Sequence, residues 1–472
     1  MVMCRHEFDE RRRKATNHSR EENQTIQRTR PTGMLGFTII WIGQVISLLG
    51  TAMTGFALTI WAWQITQQAT ALALVGFFTF APALLVTPFA GALVDRWNRK
   101  FVMMLSDLAA IISTVVVLLL FSTGSLQIWH LYVTGAFSGA FGAFQFPAYS
   151  AAVTTMVSKK QYGRASGMLS TAQFASNIFA PALAAIFLGI IGIVGILTID
   201  VFTFLVAIGA LFLVHVPQPV VTQEGRKSRG SLWKESAYGF RYIYKRKSLL
   251  ALLLIFFCVN LLAPFAFTLL APMILARTGN DATALGMVQS AIGIGGMVGG
   301  IVLSVWGGPK RKIHGILIGL TLVTMGMLLI GLGQTPFIWA LAAFFTIFFV
   351  PIINGSSQAI WQSKVVPDVQ GRVFAARGMI AQIGAPASML LAGFFADRVF
   401  EPVMMQGGSW VPLFSWLVGT GPGAGMSLMF VIAGALGMLV GLGGYAFPAV
   451  RNVEDILPDH IVEVESSAEV RV

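Results

Sequence analysis

The chain has 472 residues, 56% of them hydrophobic and 11% charged, where an ordinary soluble domain carries roughly 25% charged residues. Its mean hydropathy is +0.75, more apolar side chain than one soluble core can bury, which excludes a soluble enzyme and a secreted disulfide scaffold. The net charge of +12 would suit nucleic acid, but the placement of the charges excludes that too. The two cysteines, Cys4 in a polar tail and Cys258 in an apolar run, offer neither a disulfide framework nor a metal cluster, so no cofactor and no metal are expected.

Residues 1–33 form a polar tail with the run Arg11-Arg12-Arg13-Lys14, expected to be disordered. The apolar stretch after it is too long for a signal-peptide core and lacks a small-residue exit, so no cleavage is expected. Twelve apolar stretches follow, each long enough to cross a bilayer at roughly 20 residues. They lie near 35–62, 71–93, 101–122, 128–155, 165–189, 192–214, 249–274, 284–305, 313–333, 337–361, 373–396 and 425–447. Their continuous apolarity, without alternation, argues for helices and against a β-barrel.

With the N-terminus inside, all of the 32 Lys and Arg except Arg277 and Arg398 fall on the inner side, Arg372 and Arg377 being counted with the 10–11 region. Such a bias orients helices during insertion, and it accounts for the basic composition. A multi-pass protein of the inner (plasma) membrane is expected, with both termini cytoplasmic.

The longest inner segment, between spans 6 and 7, marks a boundary. The expected organisation is a tail at 1–33, a six-helix bundle at 34–214, a linker at 215–248, a second bundle at 249–447 and a tail at 448–472. In the linker Trp233, Tyr238, Tyr242 and Ile243 alternate with Lys and Arg, as in a helix lying in the membrane interface. The bundles resemble each other at a spacing of about 209 residues: Ala172-Gln173 answers to Ala381-Gln382, Gly163-Arg164 to Gly371-Arg372, and Pro147 and Pro351 each sit in the preceding span. Such repeats are a mark of transporters, with the ligand site between the halves near the midplane. The fold expected is an all-α membrane protein of 12 transmembrane helices in two pseudo-symmetric six-helix bundles.

The most specific motif is Gly91-Ala-Leu-Val-Asp95-Arg96-Trp-Asn-Arg99-Lys100, between spans 2 and 3. Asp95 stands at the C-terminal end of a helix, where the dipole disfavours an anion. It therefore needs a cation or the N-terminus of another helix. This spacing resembles the major facilitator superfamily. The resemblance implies that Gly91, Asp95, Arg96, Arg99 and Lys100 form a cytoplasmic latch released during alternating access. In the second half Ser304 replaces the acid and Lys310, Arg311 and Lys312 remain, so the latch is expected to be one-sided. Span 5 is similar, in degenerate form, to the exporter motif of the superfamily: Gly167, Ser176, Ala180, Pro181, Ala184 and Ala185 keep small residues in its register, a smooth face for close packing. Span 1 (Trp41-x-Gly43-Gln44-x-x-Ser47-x-x-Gly50-Thr51), span 6 (Ile199-Asp200-x-x-Thr203-Phe204) and the 10–11 loop (Val366-Pro367-Asp368-x-x-Gly371-Arg372-Val373) resemble the branch of drug–proton antiporters that includes macrolide and enterobactin exporters. The resemblance covers roughly residues 34–450.

Two acids lie well inside spans, Asp107 and Asp200. Intramembrane carboxylates are functional sites by default; burial favours the neutral form and a nearby cation opposes it. Asp200 is read either as a proton-coupling site or as a packing acid satisfied by hydroxyls. Asp107 is read as a second coupling candidate or as an ion pair with Arg99 or Lys100. Gln44, Ser47, Thr51 and Thr54 share one face of span 1 by helical spacing. With Gln145, Gln173, Asn177, Asn260, Asn354 and Gln358 they are the candidates for a substrate cavity, which the resemblance places along spans 1, 4, 7 and 10. No cation is expected at the midplane, so a substrate relying on a buried Lys or Arg is not expected.

The reading is a secondary active exporter of an amphipathic small molecule (a drug, macrolide-like compound, siderophore or other secondary metabolite) exchanging it for protons. Partners are the substrate, protons and the lipid bilayer; a monomer is expected. The alternative is a proton-coupled uptake symporter on the same fold. A non-transporting receptor or membrane enzyme fits less well: there is no phosphate-binding G-x4-G-K-[ST] loop, and the six His are scattered.

Overall fold

The computed structural model describes residues 31–94, 97–158, 161–217, 240–365 and 370–456. Asp95 and Arg96 of the latch motif, most of the linker and the far ends of both tails lie outside the described residues, as does the side chain of Arg372.

Among the described residues the regular elements are all helical. Six segments form the first bundle: α1 (Gly33–Thr66), α2 (Ala69–Val94), α3 (Arg99–Ser122), α4 (Ile128–Gly142 with Gln145–Met156), α5 (Tyr162–Ile190) and α6 (Gly192–Leu213). Six form the second: α7 (Lys247–Phe267 with Leu270–Thr278), α8 (Ala282–Trp306), α9 (Lys312–Leu332), α10 (Pro336–Phe348 with Val350–Lys364), α11 (Gln370–Gln382 with Ala385–Phe395) and α12 (Ala424–Gly443). Eleven helical stretches among the described residues are long and apolar enough to cross a membrane. The remaining crossing, α4, is broken at Ala143–Phe144 into pieces of 15 and 12 residues.

The breaks follow the prolines. Pro147, Pro351 and Pro386 each stand within the first residues of the second piece of their span, where the missing N–H costs least. Span 4 and span 10, six helices apart, therefore break at equivalent places, as the internal repeat requires.

Twelve crossings put both ends of the bundle pair on one face, here the terminal face. Toward the opposite face one apolar core joins the two halves: Met53, Phe56, Ile60 and Ala184 pack with Leu269, Met273, Leu285 and Phe430. Toward the terminal face the cores are separate. Phe37, Ile40, Met103 and Leu211 belong to a first-half cluster, and Leu249, Ile316, Trp361 and Val373 to a second-half one. Among the described residues, the protein is thus sealed on the opposite face and its cores are divided on the terminal face.

Small residues make the seal close. At Gly293 of α8 a methyl group would come to 2.8 Å from the Asn177 carbonyl carbon of α5, and at Gly286 to 3.0 Å from the Pro181 oxygen. Ala180 and Ala184 are fully buried, and Ser290 donates to the Ile178 carbonyl across the same interface (2.8 Å). In the second part of the degenerate exporter motif, Pro181, Ala184 and Ala185 lie against α8 or the core beside it, whereas Ser176 donates to Leu48 of α1 (3.2 Å). Gly167, toward the terminal face, has nothing within 4 Å of its Cβ position.

The described end of the linker departs from a purely interfacial helix. Tyr242 and Ile243 are buried in the second-half core, Tyr244 is exposed, and the Arg246 guanidinium stacks 3.5 Å from the Tyr242 ring centroid.

Candidate functional site

Two polar centres sit in the first bundle. The Asp107 carboxylate, buried on α3, accepts a hydrogen bond from Gln44 Nε2 of α1 (3.0 Å) and another from Gln145 Nε2 of α4 (3.0 Å). Gln145 Nε2 also reaches Gln44 Oε1 (2.7 Å). The ion pair expected for Asp107 is not formed: Lys100 instead donates to the Val214 carbonyl (2.9 Å), and Arg99 donates to the Ala151 carbonyl. One reason is reach, since Arg99 and Lys100 begin α3 and turn to neighbouring backbone, while Asp107 faces the amides two turns deeper.

Asp200 is fully buried on α6. It accepts from Thr114 Oγ1 of α3 (3.0 Å) and Thr51 Oγ1 of α1 (3.3 Å). Gly50 lets α1 approach, since a methyl group there would meet Asp200 Oδ1 at 3.0 Å and the Thr203 hydroxyl closer still. Beside it lies a cavity of about 230 Å³ lined by Thr54, Thr79, Ser113 and Thr134 among others. The polar residues of α1 therefore do not form one pore face. Ser47 is buried on the same stripe as Gly43 and Gly50, whose Cβ positions meet α6, and Thr51 serves Asp200.

In the second bundle, Asn260 of α7 and Asn354 and Gln358 of α10 come together around a cavity of about 430 Å³, with Phe80 of α2 at its edge. Gln173 and Asn177 lie apart from it on an exposed stripe of α5, bonded to each other at 3.4 Å. The same cavity holds a residue assigned from sequence to the loop. Arg377 stands on α11 and lines the cavity, donating to Ser357 Oγ (2.8 Å) and Gln358 Oε1 (3.2 Å). No cation was expected at the midplane; α11 begins at Gln370, so Arg377 stands two turns inside the span, where it lines this cavity.

Opposite the terminal face, the halves are joined by a carboxylate. Asp397, past the end of α11 in a π-helical turn (Ala396–Phe400), accepts from the backbone N–H groups of Ala69 (2.9 Å) and Thr70 (2.7 Å). It caps α2 of the other bundle, where the helix dipole favours an anion. Four residues before it, Gly393 lets α11 touch α2: a methyl group there would lie 2.6 Å from Thr70 Cα. Gly393-x-x-x-Asp397-Arg398 repeats the spacing of Gly91-x-x-x-Asp95-Arg96, a signal present in the sequence and not used. On the next turn Glu401 accepts from the N–H groups of Met426 (2.8 Å) and Gly423 (3.0 Å), capping α12 of its own bundle. The segment 397–424 is therefore more than an interfacial anchor, although Trp416 and Leu413 in it remain exposed.

In the terminal-face loop before α9 the acid missing at Ser304 is supplied from elsewhere. Glu454 accepts from the Ile313 N–H (2.6 Å) and Asp455 pairs with Arg311 (3.2 Å).

Residues 40–389 match the Major Facilitator Superfamily. The chain belongs to that superfamily. It is a multi-pass membrane transporter and not an enzyme. Macrolide efflux protein A of Streptococcus pyogenes is 27% identical over 373 residues, covering 77% of this chain and 90% of that one. Multidrug efflux pump Tap of Mycolicibacterium fortuitum is 24% identical over 372 residues, covering 75% and 90%. Among solved structures, a bacterial homolog of the human lysosomal transporter Spinster, inward-facing and unoccupied, superposes with a TM-score of 0.62 at 16% identity, covering 87% of this chain and 98% of that one. A POT family transporter in complex with 5-aminolevulinic acid gives 0.61 at 12% identity, covering 90% and 99%. At these identities the structural likeness speaks for the fold alone.

Proposed function

We propose that this transporter exports an amphipathic small molecule from the cytoplasm, working as a monomer and driven by protons entering in exchange. The terminal face is the cytoplasmic one in this reading, as the distribution of Lys and Arg supports. Residues 34–214 and 249–447 are its two moving bundles. Relatives named as macrolide and multidrug efflux proteins support export.

The observation that carries proton coupling is Asp107: a buried carboxylate whose hydrogen bonds come from the neutral amides of Gln44 and Gln145. A proton there removes the cost of a buried charge, and re-aims the two amides that join α1 and α4. Asp200, held by hydroxyls, is the second carboxylate of the same bundle.

Ethidium and erythromycin accumulation in cells with and without the transporter tests this. Export predicts lower accumulation with the transporter, abolished by a protonophore and by Asp107→Asn. Accumulation that rises with expression supports uptake instead, and retention of protonophore-sensitive export in Asp107→Asn removes Asp107 as the coupling site.

A further inference from the structure

The second bundle holds a cation that proton exchange does not use. Arg377 lines the 430 Å³ cavity, and its two recorded side-chain partners, Ser357 and Gln358, are neutral. A guanidinium offers five N–H donors, so two bonds leave three for another acceptor. Among the described residues no carboxylate lies within ion-pair distance of it. The Trp361 ring lies 5.1 Å from the guanidinium carbon. A half-buried cation without a counter-anion is costly unless something supplies one.

We propose that Arg377 recognises a carboxylate on the transported molecule. The rest of the cavity suits an organic carboxylate. Phe80, Leu253, Phe256 and Phe374 offer apolar and aromatic surface, and Asn260 and Asn354 offer amides. A planar guanidinium matches a carboxylate with two parallel hydrogen bonds. One cation suits one negative charge; a phosphate monoester would bring a second charge with no partner on these walls. Trp361 and Gln358 hold the guanidinium in place, so little order is lost on binding. This rests on the reading that the cavity carries the transported molecule, and it names the chemical class of that molecule.

Three naphthalene probes of one shape separate the charges: 2-naphthoate, its neutral amide 2-naphthamide, and the cation 2-naphthylmethylammonium. Their binding to the purified full chain in lipid nanodiscs is measured for the wild type, Arg377→Gln and Arg377→Lys. The proposal expects the wild type to bind naphthoate at least about tenfold more tightly than the amide, as one charge-assisted pair supplies. Arg377→Gln erases that preference and Arg377→Lys keeps part of it. Equal binding of naphthoate and naphthamide by the wild type, no binding of naphthoate, or an unchanged preference in Arg377→Gln overturns the proposal. The wild-type comparison decides even if a variant fails to fold. Energised export in cells is scored separately, for 2-naphthoate as well as ethidium: export of either with no naphthoate preference in binding sinks the anion site and leaves the export reading standing, and naphthoate preference with energised export of neither does the reverse.

Discussion

At the scale of single residues, the first bundle is organised around two acids held by neutral donors. Gly50 is the position where this costs space. A side chain there would push α1 off Asp200 and Thr203, so Gly50→Val is expected to destabilise the protein by about 1–3 kcal/mol, the usual cost of overpacking. A lowered melting temperature checks it, with Gly55→Val as the control, since nothing lies within 4 Å of its Cβ position. Asp200→Asn keeps one acceptor oxygen for one of Thr114 and Thr51, and its amide N–H can donate to the hydroxyl of the other, so it is expected to fold with a melting temperature near that of the wild type. Much of this was legible in the sequence. Asp107, Asp200, Gln44, Gln145, Asn260, Asn354 and Gln358 stand out because a polar side chain in an apolar run needs a partner. Arg377 was hidden, because Arg372 and Arg377 stand near the start of span 11 and count with the inner charge of the 10–11 region until the neighbours of α11 are known. The partners were hidden too: helical periodicity orders residues on one helix and says nothing of which neighbour they meet.

At the scale of elements, the decisive contacts are helix against helix across the halves. Asp397 joins α11 to α2 with two backbone hydrogen bonds, and a capping carboxylate contributes about 0.5–2 kcal/mol. Asp397→Ala is therefore expected to move the balance toward the state open on the opposite face by up to about 30-fold. Labelling of a cysteine at Gln67, which lines the 770 Å³ vestibule there, should become faster; an unchanged rate would mean that the cap does not hold this face closed. Gly293→Val acts on the other seam. It crowds Asn177 and Ile178 of α5 and is expected to hinder closure, raising labelling at the same position. The seams were partly visible as runs of small residues, since Gly and Ala at a helix surface permit close approach. Their partners were not, because α5 with α8 and α2 with α11 are distant in sequence. Asp397 escaped notice for another reason. It lies beyond the apolar run of span 11, where an acid looks like ordinary loop polarity, although its Gly-x-x-x-Asp-Arg spacing repeats that of the latch motif.

At the scale of the whole molecule, the sealed and divided faces are two ends of one arrangement. The halves share a core on one side only, so a rocking motion can exchange which side is closed without unfolding either bundle. The twelve crossings and the two-half plan were readable from hydropathy, charge bias and the internal repeat, because lipid permits few architectures. Which face is closed was not readable, since it depends on small differences between two packings of the same helices. The most direct test measures two spin-label distances on the same protein in nanodiscs: Ser125 to Phe337 on the opposite face, and Ser158 to Lys310 on the terminal face, all four being exposed. Lowering the pH, or adding a transported compound, should lengthen the first distance and shorten the second together. Distances that stay fixed under every condition, or that change in the same sense, would contradict alternating access by rocking bundles.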